Sequence, residues 1–145
     1  MSTEPTFEHE VHRLIAQYEV PPLQAQLQQV LNVGAGLEAQ AFWLRESEDL
    51  VNIVALGTRF IWDVSWQPKF NMCQAVILRL SHVVSVETRD SQDAALSLGL
   101  SVSGNLAVVV HVMSDRGGVV WAAHNDDSAS SLRRFTEQVL RILAS

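Results

Sequence analysis

Two histidines near the N-terminus are the first side chains whose spacing fits a chemical role. His9 and His12 are three residues apart and have Glu8 and Glu10 beside them. On a helix, this spacing puts two imidazoles on one face, where they can share a divalent metal once further ligands join. No third ligand with suitable spacing appears, and both histidines lie off the apolar stripe of their segment. We interpret them as a solvated polar face and predict no metal and no cofactor.

Nucleophilic catalysis has as little support in the sequence. Cys73 is the only cysteine, and a thiol nucleophile needs a base and a third group that orients the base. Ser81 and His82 lack the Gly-x-Ser-x-Gly elbow of serine hydrolases. Gly34-Ala35-Gly36 lacks the third glycine of a dinucleotide site, and no Gly-Lys-Ser/Thr phosphate loop occurs. We therefore predict that the protein is not an enzyme.

Composition narrows the class of protein further. The 145 residues include 10 Lys+Arg and 16 Asp+Glu, for a formal charge of -6, and 48% are hydrophobic. That apolar share excludes a disordered chain, and the acidic balance argues against nucleic acid and against a polybasic membrane anchor. The longest apolar runs, such as 106–110, fall far short of the roughly 20 residues of a membrane helix. The polar start of the chain and its single cysteine predict a cytoplasmic location.

Three segments have the apolar spacing of amphipathic helices. The first begins after Thr6, a predicted N-cap, and Pro21-Pro22 must end it. A second helix restarts at the prolines, and the third is predicted over about 128–143. Their stripes are Phe7, Val11, Leu14, Ile15 and Tyr18; Leu23, Leu27, Val30 and Leu31; and Leu132, Phe135, Val139 and Ile142.

From about residue 39 to residue 123 the period changes to two, which is typical of strands. The strand at 60–66 puts Phe60, Trp62, Val64 and Trp66 on one face. Segments 75–80 and 83–88 form an extended stretch bent around Ser81-His82. The clearest alternation is at 96–102, and further strands are predicted at 106–113 and 119–123. The sequence thus predicts an α+β, mainly β, fold of about seven antiparallel strands between two N-terminal helices and one C-terminal helix.

This order of elements resembles the pleckstrin-homology-like barrel, in particular its bacterial and GRAM-like members. Val54-Ala55-Leu56-Gly57-Thr58-Arg59-Phe60-Ile61-Trp62 is similar to a hairpin of that family, and Leu80-Ser81-His82-Val83-Val84-Ser85-Val86-Glu87 is similar to its next strand and bend. The resemblance covers residues 40–145. It implies a seven-stranded barrel domain over 37–145, capped at one end by the last helix, and a helical extension over 1–36.

The resemblance also implies a place for a ligand, at the open end opposite the last helix. The loops that meet there would hold Arg45, Lys69 and Arg116. A phosphoinositide site needs several basic residues in the first strand and its loop, whereas this chain has Arg45-Glu46-Ser47-Glu48-Asp49. Three carboxylates beside one arginine oppose a polyphosphate headgroup. We predict no phosphoinositide binding, and only a weak acidic-peptide or single-phosphate contact remains open.

Aromatic residues point instead to a protein partner. Trp66, Phe70 and Met72 lie in or beside a predicted loop, and aromatic and Met side chains are enriched at the centres of protein interfaces. The alternative is that the loop at 66–72 folds back over the barrel. We expect a binding or assembly module whose partner is another protein or a second copy of this chain. The apolar stripes of the N-terminal helices are a second candidate surface, because they either pack on the barrel or pair between chains.

Two other functions stay open at this point. Small acidic α+β proteins also include secretion-chaperone-like dimers that bind unfolded segments of their partners. A helix at 67–75 would favour that class, whereas a loop there would favour the barrel. The third hypothesis is a protein that binds a small ligand.

Overall fold

Three helices and seven antiparallel strands make up the part of the chain that the structure describes. The structure is a computed structural model, and it describes residues 6–34, 38–89, 108–123 and 126–145. The helices are α1 (Phe7–Gln17), α2 (Pro21–Asn32) and α3 (Asp126–Ala144). The strands are β1 (Ala41–Glu46), β2 (Val51–Leu56), β3 (Phe60–Gln67), β4 (Met72–Arg79), β5 (Val83–Arg89), β6 (Val108–Ser114) and β7 (Gly117–Ala123). This confirms the predicted α+β class and its mainly antiparallel strands.

The strands form two sheets, and the chain divides into two compact units. One sheet has the order β1-β2-β3-β4 and the other the order β5-β6-β7. The first unit comprises 1–77 and the second 78–145. Within the described residues the strands do not close into a barrel, so the closed barrel and its capping by the last helix stay predictions.

The two N-terminal helices begin where the sequence predicted, and α1 ends at Gln17, before the Pro21-Pro22 pair. Thr6 caps α1 by accepting a hydrogen bond from the His9 backbone at 3.1 Å. Proline occupies the first turn of α2, where a missing N–H costs no hydrogen bond. Both helices pack their apolar stripes against one face of the first sheet, which we call the helix face.

The core of the first unit is formed by these helices and the helix face. Its buried members are Phe7, Val11, Leu14, Leu23, Leu27, Val30, Val51, Ile53, Ala55, Trp62 and Val64. The helical stripes pack inside this chain, which is the first of the two alternatives that the sequence left open for them. The predicted domain boundary between residues 36 and 37 stays a prediction, because packing alone does not show which part folds independently.

The opposite face of the first sheet is buried as well. Trp43, Val54, Leu56 and Ile61 are almost completely inaccessible, although they alternate with the residues of the helix face. A strand that is buried on both sides has an almost continuously apolar sequence. The sequence of β2, Val51–Leu56, has this character, with Asn52 as its one polar residue.

In the second unit, α3 packs its predicted stripe. Leu132, Phe135 and Val139 are buried, and the Phe135 ring meets Trp121 of β7 edge to face at 5.5 Å. The helix begins at Asp126, slightly before the predicted start. The predicted bend at Ser81-His82 is a short 3-10 helix, Leu80–His82, between β4 and β5. The strand predicted at 96–102 and its following turn lie outside the described residues.

None of the helices in the described part of the chain combines the length and the apolar character needed to cross a bilayer.

Candidate functional site

The hairpin between β3 and β4 contains most of the predicted binding residues. After Gln67 the chain makes a single 3-10 turn, Pro68–Phe70, and Asn71 then adopts a left-handed conformation with φ of 47°. Asparagine tolerates this conformation better than most residues, so it suits a tight reversal. The predicted loop is therefore shorter than expected, because Trp66 belongs to β3 and Met72 to β4.

Three side chains project from this hairpin into solvent. Phe70 is 66% exposed and Met72 is 51% exposed, and the ammonium-bearing Lys69 between Pro68 and Phe70 is exposed too. We call Lys69, Phe70 and Met72 the hairpin patch. Exposed large apolar side chains such as Phe70 and Met72 fit the centre of a protein interface, and a lysine such as Lys69 fits its polar rim.

Trp66 lies beside the patch but is oriented differently. Its ring packs edge to face on Tyr18, at 5.6 Å between centroids, and is part of the helix-face packing. Its Nε1 is buried and has no hydrogen-bond partner in the described residues. Trp66 thus supports the base of the hairpin from inside, and its direct contact with a partner stays a prediction.

The structure places the three predicted basic residues in two different units. Arg45 lies in β1 and Lys69 in the β3–β4 hairpin, and the antiparallel order puts both at the same end of the first sheet. Burial lowers the pKa of the half-buried Arg45, and the charge of nearby Asp49 opposes that shift. Arg116 is an exposed residue of the β6–β7 turn in the second unit. The convergence of the three stays a prediction.

A polar network near this end of the first sheet was not predicted from the sequence. Glu46, the last residue of β1, binds the Arg13 guanidinium with one carboxylate oxygen and accepts a hydrogen bond from the Tyr18 hydroxyl at 2.7 Å with the other. Arg13 also binds Glu10 at 2.7 Å. We call Arg13, Tyr18 and Glu46 the α1–β1 latch. Glu46 is therefore an ionised partner of Arg13, which offsets one of the three carboxylates counted in the acidic segment.

The latch shifts the pKa values of its members. Burial raises the pKa of Glu46, but hydrogen bonds from Arg13 and Tyr18 outweigh this and keep it below its ordinary value. Burial and the bond to Glu46 raise the pKa of Tyr18 to about 12. Glu46 is 33 residues from Arg13 and 28 from Tyr18, so no local motif could have indicated the latch.

A second polar pair is buried in the face opposite the helices. The Asn52 amide donates to Asp63 Oδ1 at 2.6 Å and to the Val64 carbonyl at 3.0 Å. Both Asn52 and Asp63 are buried. Sequence alternation placed Asp63 away from the aromatic face of β3 but could not show that this side is covered.

The residues first considered for chemistry are scattered. His12 lies 3.8 Å from Glu8 on the solvent side of α1, and His9 is exposed. Cys73 is half-buried in β4, and burial raises the pKa of its thiol, which disfavours the nucleophilic thiolate. Across the described ranges, no three His, Cys, Asp or Glu side chains are grouped closely enough to hold a metal ion.

Comparisons of the chain with family models, with curated proteins and with solved structures found no match. The hairpin patch is therefore the candidate functional site on physical grounds alone, because it exposes apolar side chains next to a cation.

Proposed function

We propose that this chain is a non-enzymatic protein-binding or assembly module, and that the hairpin patch is its binding surface. The observation that carries the proposal is the exposure of Phe70 and Met72, at 66% and 51%. Burial of a Phe or Met side chain contributes about 1.5–3 kcal/mol. Lys69 supplies a polar rim contact that fixes orientation more than it adds affinity.

A pleckstrin-homology-like scaffold is part of this proposal. A four-stranded sheet, a three-stranded sheet and a C-terminal helix follow one another in the order that the resemblance implies. The proposal excludes phosphoinositide as the ligand, because Glu48 and Asp49 still accompany Arg45 after Glu46 is assigned to the latch. A cytoplasmic location belongs to the same proposal.

A secretion-chaperone-like function has less support. That class calls for a helix at 67–75, whereas this segment holds a 3-10 turn of three residues followed by strand β4. No observation on the described residues favours a small-molecule ligand over a protein.

The experiment compares proteins that the full chain retains from a cell extract, quantified by mass spectrometry. The three baits are the unmodified protein, Phe70→Ser and Val84→Ser. Val84 is the matched control because it is 70% exposed but belongs to strand β5 of the second unit and not to the hairpin. Circular dichroism establishes that the variants remain folded.

We expect a partner that binds the unmodified protein and the Val84→Ser bait, and whose recovery falls at least tenfold with Phe70→Ser. A loss of tenfold corresponds to about 1.4 kcal/mol, just below the lower limit of about 1.5 kcal/mol for one buried aromatic side chain, so the threshold is conservative. Equal recovery with all three baits would overturn the assignment of the hairpin patch.

A further inference from the structure

The turn of the β3–β4 hairpin has no buried side chain of its own. None of the residues in the 3-10 turn Pro68–Phe70 is buried, and Met72 is 51% exposed. Trp66 and Cys73, one on each side of the turn, are the nearest side chains that pack against the core of the first unit. Residues 67–72, which lie between them, therefore take their orientation from these two anchors.

Trp66 is the larger anchor, and its orientation is imposed by its neighbours. Its Nε1 is buried without a hydrogen-bond partner among the described residues. A buried indole N–H that makes no hydrogen bond costs free energy, whereas an indole turned outward would bond to water. Packing must therefore hold the ring inward. Tyr18 packs on it edge to face, with 5.6 Å between the ring centroids.

Tyr18 is itself fixed at both ends by hydrogen bonds. It is the C-cap residue of α1, and its backbone N–H donates to the Leu14 carbonyl at 3.0 Å. Its hydroxyl donates to Glu46 at 2.7 Å, and Glu46 also binds Arg13 of α1. Because the ring lies between these two attachments, it has little freedom to turn away from Trp66.

These contacts form an unbroken chain from the α1–β1 latch to the hairpin. Glu46 holds the Tyr18 hydroxyl, the Tyr18 ring holds Trp66, and Trp66 anchors the strand that leads into the turn. We propose that Tyr18 is a positioning residue of the hairpin patch and keeps Phe70 and Met72 in the orientation that a partner contacts. This rests on the proposed function, since the partner is the one that binds the patch.

Side-chain NMR on the full chain tests the positioning without a partner. The chain has three methionines, Met1, Met72 and Met113, and four tryptophans. Methyl-labelled methionine therefore gives one reporter on the hairpin, and the Trp66 indole N–H gives another on its anchor. Each signal is assigned by its loss in Met72→Leu or Trp66→Phe. Met113 belongs to the second unit and serves as the internal reference.

We expect Tyr18→Ala to speed the exchange of the Trp66 indole proton with water by at least about tenfold, which corresponds to about 1.4 kcal/mol. The Met72 methyl signal should shift, while that of Met113 stays in place. Gly57→Ala is the control for general destabilisation, because Gly57 lies in the turn at the other end of β3 and an added Cβ there has no room. Unchanged signals in Tyr18→Ala, or equal changes in Gly57→Ala, would refute the positioning.

Variants of the hydroxyl and of its acceptor test the next step, and they keep the proposal open to refutation if Tyr18→Ala fails to fold. Tyr18→Phe and Glu46→Ala both remove the hydrogen bond and keep the aromatic ring. We expect both to move the two signals in the same direction as Tyr18→Ala and by less. Glu46→Gln should restore the signals of the unmodified protein, because its amide oxygen still accepts from the hydroxyl. A change in Glu46→Gln as large as in Glu46→Ala would contradict the hydrogen-bonded step.

Recovery of proteins from the cell extract links the positioning to binding. We expect Tyr18→Ala to lower the recovery of the partner that depends on Phe70, although Tyr18 is outside the hairpin patch. Recovery that depends on Phe70 but not on Tyr18 would remove the positioning role and leave the proposed function standing. Changed NMR signals together with recovery that is insensitive to Phe70 would remove the proposed function and leave the positioning of the hairpin by Tyr18.

Discussion

The α1–β1 latch allows a quantitative test of how the first helix is held on the first sheet. Glu46 is its centre, since its two carboxylate oxygens bind Arg13 and Tyr18 separately. The substitution Glu46→Gln keeps the size of the side chain and removes its charge. The decrease in unfolding free energy then reports the charge-assisted part of the network, because the substitution creates no cavity.

The expected magnitude follows from exposure. The side chains of Arg13 and Glu46 are 35% and 26% exposed, so their ion pair contributes about 0.5–1 kcal/mol. The hydrogen bond from Tyr18 to a charged acceptor contributes about 1.5 kcal/mol, of which the amide oxygen of Gln keeps a part. Arg13 also retains Glu10 as a partner. We therefore expect a loss of about 1–2 kcal/mol, or roughly 3–6 °C in Tm for a chain of this size.

Urea unfolding at pH 7, followed by far-ultraviolet circular dichroism, measures this free energy. Glu48→Gln is the matched control, because Glu48 is an exposed carboxylate in the turn after β1. We expect it to change the free energy of unfolding by less than about 0.5 kcal/mol. A similarly small change for Glu46→Gln would refute the stabilising role of the latch.

The same pair of proteins should differ less in acid. The folded-state pKa of Glu46 is lowered, so its contribution is complete above the unfolded pKa of about 4.3 and is lost as pH falls through the folded value. The stability difference between the unmodified protein and Glu46→Gln should therefore shrink from pH 7 to pH 3. A difference that stays constant over this range would contradict the assigned pKa direction.

Three further predictions test other parts of the first unit. Gly57→Ala should lower stability by about 1–3 kcal/mol in urea unfolding, because its Cβ would lie 2.7 Å from the buried Trp62 ring. An unchanged free energy of unfolding would contradict this close approach. Asn52→Leu should cost about 2–3 kcal/mol by the same assay, since it removes a donor from buried Asp63, whereas a gain in stability would show that the pair is dispensable. Because the pKa of Tyr18 is raised to about 12, the contribution of its hydroxyl to stability is present below pH 10 and is lost as pH rises to 12. The difference in unfolding free energy between the unmodified protein and Tyr18→Phe should therefore shrink across that range. A constant difference would contradict the raised pKa.

The elements themselves could be predicted because their signals are local. The stripe of α1 repeats at helical spacing and Pro21-Pro22 interrupts it, so both its face and its end follow from residues within a few turns. The turn at Gly57 and the reversal near Pro68 were equally visible. The prediction for β4 begins at Ala75, whereas the strand begins at Met72. The residues before Ala75 show no clear alternation of polar and apolar side chains.

The contacts between elements could not be predicted in this way. Glu46 follows Arg45 in an acidic segment, so its sequence context indicates a solvated loop. Only the packing of α1 on the sheet brings Arg13 and Tyr18 to it. Trp66 is a similar case. Trp66 and Phe70 are both aromatic residues near the hairpin, but the Trp66 ring packs on Tyr18 whereas the Phe70 ring projects into solvent.

The hairpin patch continues into β4 at Met72, and the energetics favour a partner that contacts more than the hairpin. Burial of Phe70 and Met72 contributes about 3–6 kcal/mol in total, while a micromolar complex requires about 8 kcal/mol after the cost of association has been met. The hairpin alone therefore supports only weak binding. Strand β4 also exposes Ile77, at 50%, so a partner that contacts it as well as the hairpin gains further apolar burial. On the proposed function, such additional contacts along β4 provide affinity, and the side chains of the hairpin restrict which partner binds.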